Sequence, residues 1–295
     1  MESIAKPLYI ASAWQDFSVL DAGDGEKLER WGVYVLRRPD PQVIWPSQRP
    51  ELWERADARY HRSERGGGEW DIARHLPEKW TVSYRGLRFY VRPTGFKHTG
   101  LFPEQAVNWD WMDTLLRNAG KSGNTPRVLN LFAYTGGATL ACARAGAHVC
   151  HVDAAKSIVS WAKENYSLSG LPATHSRWIV NDVLKFVQRE IRRGNVYDAI
   201  LMDPPSYGRG PDGEVWKMEE KIFALVDAAA QLLSDTPLFF LINSYTTGLQ
   251  PVVLENILRI AVVNRHGGAA EAGEVVLPVE TGGFLPCGAT GRWHT

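Results

Sequence analysis

Residues Arg127–Ala138 read RVLNLFAYTGGA, and the fold of the chain turns on them. Val128–Phe132 is an apolar run of the length of one buried strand. It breaks at Tyr134-Thr135-Gly136-Gly137 and restarts in a helical pattern. Glycines at such a break let the backbone turn sharply and approach a ligand. The free N–H groups of the helix that follows suit an anionic group such as a carboxylate. About 70 residues further on, a second apolar run, Ala199–Met202, ends in Asp203-Pro204-Pro205-Ser206-Tyr207-Gly208.

Strand and helix patterns alternate outward from this point. The spacing predicts strands at 127–132, 147–152, 177–181, 196–202 and 237–243. Helices are expected at 137–145, 155–168, 182–193, 217–234 and 250–261, and another, at 103–120, precedes the series. Such alternation argues for an α/β fold with a doubly wound, Rossmann-like parallel sheet. The segments 274–279 and 282–293 read as a closing hairpin. Residues 1–98 differ in character. They are rich in Trp, Tyr, Arg, Pro and Gly, in short alternating runs at 31–39, 42–46, 79–84 and 87–93, with a hairpin expected near Leu20–Leu28. We therefore expect a small β-rich domain over 1–98 and a catalytic domain over 99–295, with Arg62–Gly68 an exposed loop.

Ligands of open parallel sheets bind beyond the carboxyl ends of the strands. Four such ends carry suitable residues: Tyr134–Gly137, Asp153 with Ala154, Asp182 with Val183, and Asp203. An acid at the second end can accept both hydroxyls of a ribose. An acid at the third can accept from an exocyclic adenine amine. Each has a plainer reading, because a Gly-Gly pair is commonly a structural turn and a strand-terminal Asp commonly caps the next helix, Asp182 above all. Their recurrence on consecutive strands is the stronger signal. The glycine pattern is not G-x-G-x-x-G, which argues against a nicotinamide cofactor.

Composition sets the outer bounds. The 295 residues include 33 Lys plus Arg and 33 Asp plus Glu, so net charge is zero and no whole-molecule field attracts a polyanion. Any such partner must meet a local basic patch. Cys142, Cys150 and Cys287 have no metal-type spacing, which predicts no metal site and a reducing, cytoplasmic setting. No apolar run is long enough to span a membrane.

The quoted motifs add specificity. NLFAYTGGAT, VDAAKSIVSWAKEN, NDVLKF and DPPSYGRG resemble the class I S-adenosylmethionine-dependent methyltransferases that modify bacterial large-subunit ribosomal RNA, of the 5-methylcytosine and 7-methylguanine types. GFKHTGLFPEQAVNW, 95–109, is similar to the segment of that family that closes over the cofactor. The resemblance implies that Lys97, Thr99, Phe102 and Gln105 line the entry. It also implies that Tyr134–Gly137 hold the methionine end of S-adenosylmethionine, Asp153 the ribose and Asp182 the adenine.

Cytosine C5 methylation needs a thiolate to add to the ring. The loops DPPSYG and LINSYTTG carry Ser206 and Ser244 where that thiol would stand. Cys142 and Cys150 fall in a helix and a strand, and Cys287 in the tail is the remaining thiol with a route to the site. A nitrogen acceptor needs only alignment and desolvation. The expectation is N-methylation of a base in RNA, guanine foremost by the resemblance, with Asp203, Pro204, Pro205 and Tyr207 as the catalytic loop. Two rival readings remain: a small-molecule or protein methyltransferase, and a cofactor-binding protein with Tyr207 or Trp293 filling the acceptor position.

Substrate contact is expected from the first domain. Lys79, Arg85, Arg88, Arg92 and Lys97 interleave with Trp80, Tyr84, Phe89, Tyr90 and Phe96, and no acid interrupts them. Basic side chains meet phosphates while rings stack on bases. Arg55, Arg59, Arg62 and Arg65 form a looser second set. The competing reading puts the rings in the core and leaves the arginines as a solvated face.

Overall fold

The structure is a computed structural model and describes residues 6–63, 67–121, 123–209 and 215–295. Its strands are β1 (Leu8–Ile10), β2 (Phe17–Gly23), β3 (Glu26–Trp31), β4 (Tyr34–Pro39), β5 (Ala58–Arg62), β6 (Gly68–Ile72), β7 (Trp80–Tyr84) and β8 (Leu87–Val91). There follow β9 (Arg127–Leu131), β10 (His148–Asp153), β11 (Ser176–Val180), β12 (Ala199–Met202), β13 (Tyr207–Arg209), β14 (Val215–Lys217), β15 (Phe239–Ser244), β16 (Ala269–Pro278) and β17 (Phe284–His294). The helices are α1 (Pro50–Trp53), α2 (Ala106–Gly120), α3 (Gly137–Arg144), α4 (Lys156–Leu168), α5 (Val183–Arg192), α6 (Met218–Ala230), α7 (Pro251–Leu258) and α8 (Asn264–His266).

The chain forms two compact units. One comprises residues 1–9, 108–275 and 288–295, and the other 10–107 and 276–287. Against the division expected at 98/99, the β-rich unit keeps 99–107 and takes 276–287 back from the tail. The physical reason lies in the tail: Val279 bridges Val19, and Thr281 hydrogen-bonds Asp21 at 2.9 Å.

The larger unit is built on a sheet of order β1-β16-β17-β15-β12-β9-β10-β11. Strands β9 to β12 and β15 pair in parallel, whereas β17 runs antiparallel to β15. Parallel strands covered on both faces read as near-continuous apolar runs. Every residue of β12 (AILM) and β15 (FFLINS) is accordingly buried. Strand order reverses beside β9, which lies between β10 and β12, so the crevice at the carboxyl end of β9 is the expected ligand position. This is the doubly wound sheet that the alternation predicts.

In the smaller unit, β2-β3-β4-β5-β6 form one sheet, and β7-β8 form a separate hairpin. The expected Leu20–Leu28 hairpin is β2–β3, turning through Asp24 and Gly25, both at positive φ. Residues 42–46 are not a strand. They clasp that turn instead, through Asp24 N–H to Trp45 O at 2.8 Å and Gly25 N–H to Val43 O at 2.7 Å. Of the expected loop at Arg62–Gly68, Arg62 and Gly68 pair as the last residue of β5 and the first of β6, and Ser63 N–H donates to Gly67 O at 3.0 Å, while residues 64–66, Arg65 among them, lie outside the described residues.

Candidate functional site

The turn after β9 is tightly constrained. Phe132 and Tyr134 adopt left-handed φ of 54° and 49°, which costs an L-residue energy and persists only where its surroundings impose it. Asp153, half-buried at the end of β10, imposes part of it by accepting the Tyr134 N–H at 3.0 Å. Its second oxygen accepts the Ala155 N–H at 2.9 Å, across the exposed Ala154. The amide of Asn165 donates to Thr135 O at 3.0 Å. Two strand ends are thus clamped together around a single carboxylate. Burial raises the Asp153 pKa above the ordinary carboxylate value, against the lowering effect of these backbone donors.

The two glycines do different work. Gly136 has φ 90° at the cap of α3, a conformation that favours glycine. A Cβ on Gly137 would lie 2.6 Å from the buried Trp109 ring, so helix packing on α2 requires that glycine. Beneath the turn is a network absent from the sequence reading. Asn130 donates to Thr139 Oγ1 at 2.9 Å, and Thr139 Oγ1 pairs with His151 Nδ1 at 2.9 Å. Burial pushes the His151 pKa down to about 3, so the ring is neutral and Nε2 has no partner. Polar residues spaced to face one another across β9, α3 and β10 were the signal for it.

At the third strand end, Asp182 is the N-cap of α5 and accepts the Lys185 N–H at 2.9 Å. The plainer reading thus applies to one of its oxygens. Val183 is buried in the core. Its neighbour Asn181, missed in the sequence, has a buried Oδ1 with no hydrogen-bond partner. Leaving such an acceptor unsatisfied costs about 1–3 kcal/mol, so it awaits a donor.

The fourth end is the turn after β12. Asp203 is half-buried, and its N–H donates to Leu131 O at 3.3 Å. Pro204 is buried, while Pro205 and Tyr207 are exposed. Tyr207 opens an unforeseen hairpin, β13–β14, which returns Trp216 opposite Gly208. The turn is tied to the end of β15 by Thr246 Oγ1 donating to Ser206 Oγ at 2.8 Å. Trp293 is fully buried and pairs with Phe240 near the amino end of β15, so it cannot fill the acceptor position at the carboxyl ends.

Lys97, Thr99, Phe102 and Gln105 belong to the smaller unit. Lys97 is half-buried, and burial together with nearby Lys27 lowers its pKa. Its carbonyl accepts from Arg38 at 2.7 Å. Thr99 is buried with Oγ1 unpartnered, Phe102 stacks edge-on His98 at 5.1 Å, and Gln105 is buried.

On the β7–β8 hairpin, Trp80, Tyr84 and Phe89 point inward and are buried. Trp80 donates to Trp31 O at 3.0 Å, and Tyr84 packs on Trp14 at 4.6 Å. These rings therefore cannot stack on bases, which corrects the interleaved reading. Strand alternation leaves Arg88 exposed, Arg85 is exposed in the turn between β7 and β8, and after β8 Arg92 is half-buried and Phe96 exposed. In the second basic set, Arg59 is paired with Glu26 at 3.1 Å.

A doubly wound sheet with acids at the carboxyl ends of successive strands defines an α/β protein that binds a nucleotide-like cofactor. The family model for S-adenosylmethionine-dependent methyltransferases matches residues 53–259, and the chain belongs to that family. A solved S-adenosylmethionine-dependent methyltransferase from Agrobacterium tumefaciens is 38% identical, with TM-score 0.93 over 98% of this chain and 94% of that one. A solved methyltransferase-like protein complexed with S-adenosylhomocysteine shares the fold at 17% identity, with TM-score 0.72 over 96% of this chain and 76% of that one. Among curated relatives, ribosomal RNA large subunit methyltransferase K of Neisseria meningitidis is 25% identical over 80% of this chain. The K/L protein of Magnetococcus marinus is 28% identical over 64%. The chain spans 66% and 26% of their respective lengths.

The chain is thus a methyltransferase that uses S-adenosylmethionine. The groups present fit that cofactor: a half-buried carboxylate, Asp153, at the end of β10, and an unsatisfied buried acceptor, Asn181 Oδ1, next to Asp182 in the chain. Among the described residues, no cluster of His, Cys, Asp or Glu could hold a metal ion, and no helix is long and apolar enough to cross a membrane.

Proposed function

We propose that the chain methylates a nitrogen of an RNA base, with guanine in ribosomal RNA as the leading substrate. The observation that carries the reading is the chemistry at the ends of β12 and β15. Ser206 and Thr246 meet there through hydroxyls at 2.8 Å, with Ser244 adjacent and no thiol in either loop. Cys142 and Cys150 are buried, and burial raises both thiols, Cys150 to about 11. Burial, then Glu104, raises the Cys287 thiol well above its ordinary value, which disfavours the thiolate that cytosine addition needs.

Bound S-adenosylmethionine supplies an electrophilic methyl group. The residues of this chain do the rest. Asp153 accepts the ribose hydroxyls, Asn181 and Asp182 face the adenine, and the Tyr134–Gly137 turn receives the methionine end. Asp203 accepts an N–H of the incoming base and takes its proton when the acceptor is the amino group or N1 of guanine; N7 carries none to lose. Tyr207, exposed four residues after Asp203, offers a face for stacking. Arg85, Arg88 and Arg92 meet phosphates. The names of the Neisseria and Magnetococcus relatives favour ribosomal RNA. Three free thiols favour a cytoplasmic enzyme.

The test is labelled-methyl transfer to total RNA from a deletion strain, followed by nucleoside analysis. Label in methylguanosine is expected. Label in 5-methylcytidine, or only in protein or small molecules, overturns the reading.

A further inference from the structure

The β13–β14 hairpin carries one side chain that touches both sides of the site. Trp216 donates its indole N–H to Pro205 O at 2.6 Å. Its ring lies 5.3 Å from that of Phe132. Pro205 belongs to the turn after Asp203, and Phe132, at left-handed φ 54°, begins the turn after β9. Strand pairing holds Trp216 opposite Gly208, and the Met218 N–H donates to Ser206 O at 3.1 Å. The indole is only partly buried, at the rim of the core.

We propose that Trp216 is a positioning residue for methyl transfer, locking the acceptor-side turn Asp203–Tyr207 against the turn after β9. The inference rests on the methyltransferase reading of this site. Two prolines fix φ in the turn but leave ψ at Pro205 free. Rotation there would carry Tyr207 away from Asp203. A hydrogen bond to the Pro205 carbonyl removes that freedom, and packing on Phe132 ties the turn to the strand beside the cofactor. Group transfer is sensitive to such geometry, because a misplacement of about 1 Å costs on the order of a hundredfold in rate.

Trp216→Phe keeps a ring and deletes the donor, whereas Trp216→His restores a ring N–H. With the full chain, transfer to RNA, S-adenosylhomocysteine affinity and Tm are measured together. For Trp216→Phe, kcat should fall roughly 10- to 100-fold, while KM for RNA and cofactor-product affinity stay within about threefold. Trp216→His should recover part of the loss, and a crystal structure of Trp216→Phe should show the Pro205 carbonyl turned. A kcat within about twofold of wild type, or a loss matched by Tm or by affinity, overturns the assignment. Asp203→Ala in parallel separates the two levels. If it too leaves transfer intact, the reading of the site fails; if it alone abolishes transfer, only the assignment of Trp216 fails. Should wild type transfer nothing to RNA, the crystal structure decides, and an unmoved turn in Trp216→Phe overturns the proposal.

Discussion

Replacing Asp153 with Asn separates a binding role from a structural one at nearly constant volume. The carboxylate's backbone donors include Tyr134 N–H at 3.0 Å and Ala155 N–H at 2.9 Å, with Ala154 beside them. An amide keeps one acceptor oxygen and turns an NH2 toward the other donor, a loss of about 1 kcal/mol. The opposing effect is burial. Asp153 titrates above an ordinary Asp because burial outweighs its donors, so the ionised side chain costs folding stability at neutral pH. Removing the charge relieves that cost, so the two effects oppose each other. Binding has no such compensation. Exchanging a charged acceptor for a neutral amide removes at least one charge-assisted bond to a ribose hydroxyl, about 1.5–3 kcal/mol. That corresponds to a roughly 10- to 150-fold rise in Kd. Calorimetry with S-adenosylhomocysteine measures the affinity, and thermal unfolding of the same sample measures the fold. The expected pair is a large affinity loss with Tm changed little. Unchanged affinity, or a loss tracking a fall in Tm, would refute the ribose assignment.

Gly137→Ala should destabilise the larger unit by about 1–3 kcal/mol, read as a lower Tm, because its Cβ would sit 2.6 Å from Trp109 Cζ2. Acid should weaken the same unit through His151, whose pKa is pushed to about 3 by burial. Below pH 6.5 the unfolded ring binds a proton that the folded ring refuses, so stability falls as pH drops toward 3. Urea titrations should show that slope, and His151→Gln should flatten it. Reversing Arg85, Arg88 and Arg92 to Glu should weaken RNA binding and reduce its salt slope by roughly 0.7 per lost single-strand contact; an unaltered slope means a solvated face. Cys287→Ser should leave turnover within about threefold, since no nucleophile is lost; a covalent adduct with fluoropyrimidine RNA would restore cytosine catalysis.

How much of this was legible depended on the range of the interaction that decides each element. The central strands β12 and β15 announce themselves, because burial on both faces favours near-continuous apolar runs. Residues 42–46 have the same local look, yet their backbone groups satisfy the β2–β3 turn instead of a ladder. The interleaved rings of 79–97 could be counted in the sequence, but which of them faces inward is fixed by the register of β7 on β8. The β13–β14 hairpin escaped because each strand is three residues long. Its trace in the sequence was Pro211-Asp212-Gly213, a turn signature between two short alternating runs.

Two aspartates show why Asp153 reads as a ligand site and Asp21 as a structural post. Burial alone would raise both. Asp21 collects Ser47 Oγ and Trp53 Nε1 at 2.8 Å, Thr281 Oγ1 at 2.9 Å and Arg49 N–H at 3.1 Å. With the Gln48 N–H at 3.5 Å, five donors fill its lone pairs and hold its pKa at about 2. Its stabilising effect is complete above an ordinary Asp pKa and is lost as pH falls toward 2. Asp153 has backbone donors on either oxygen and a pKa that burial still raises. A protein that buries a carboxylate without completing its hydrogen bonds bears a cost that a bound partner relieves. The same shortfall recurs at Asn181 Oδ1, one strand away in the sheet order. Hydroxyls of a ribose and an amine of a purine are donors of the kind these two acceptors lack.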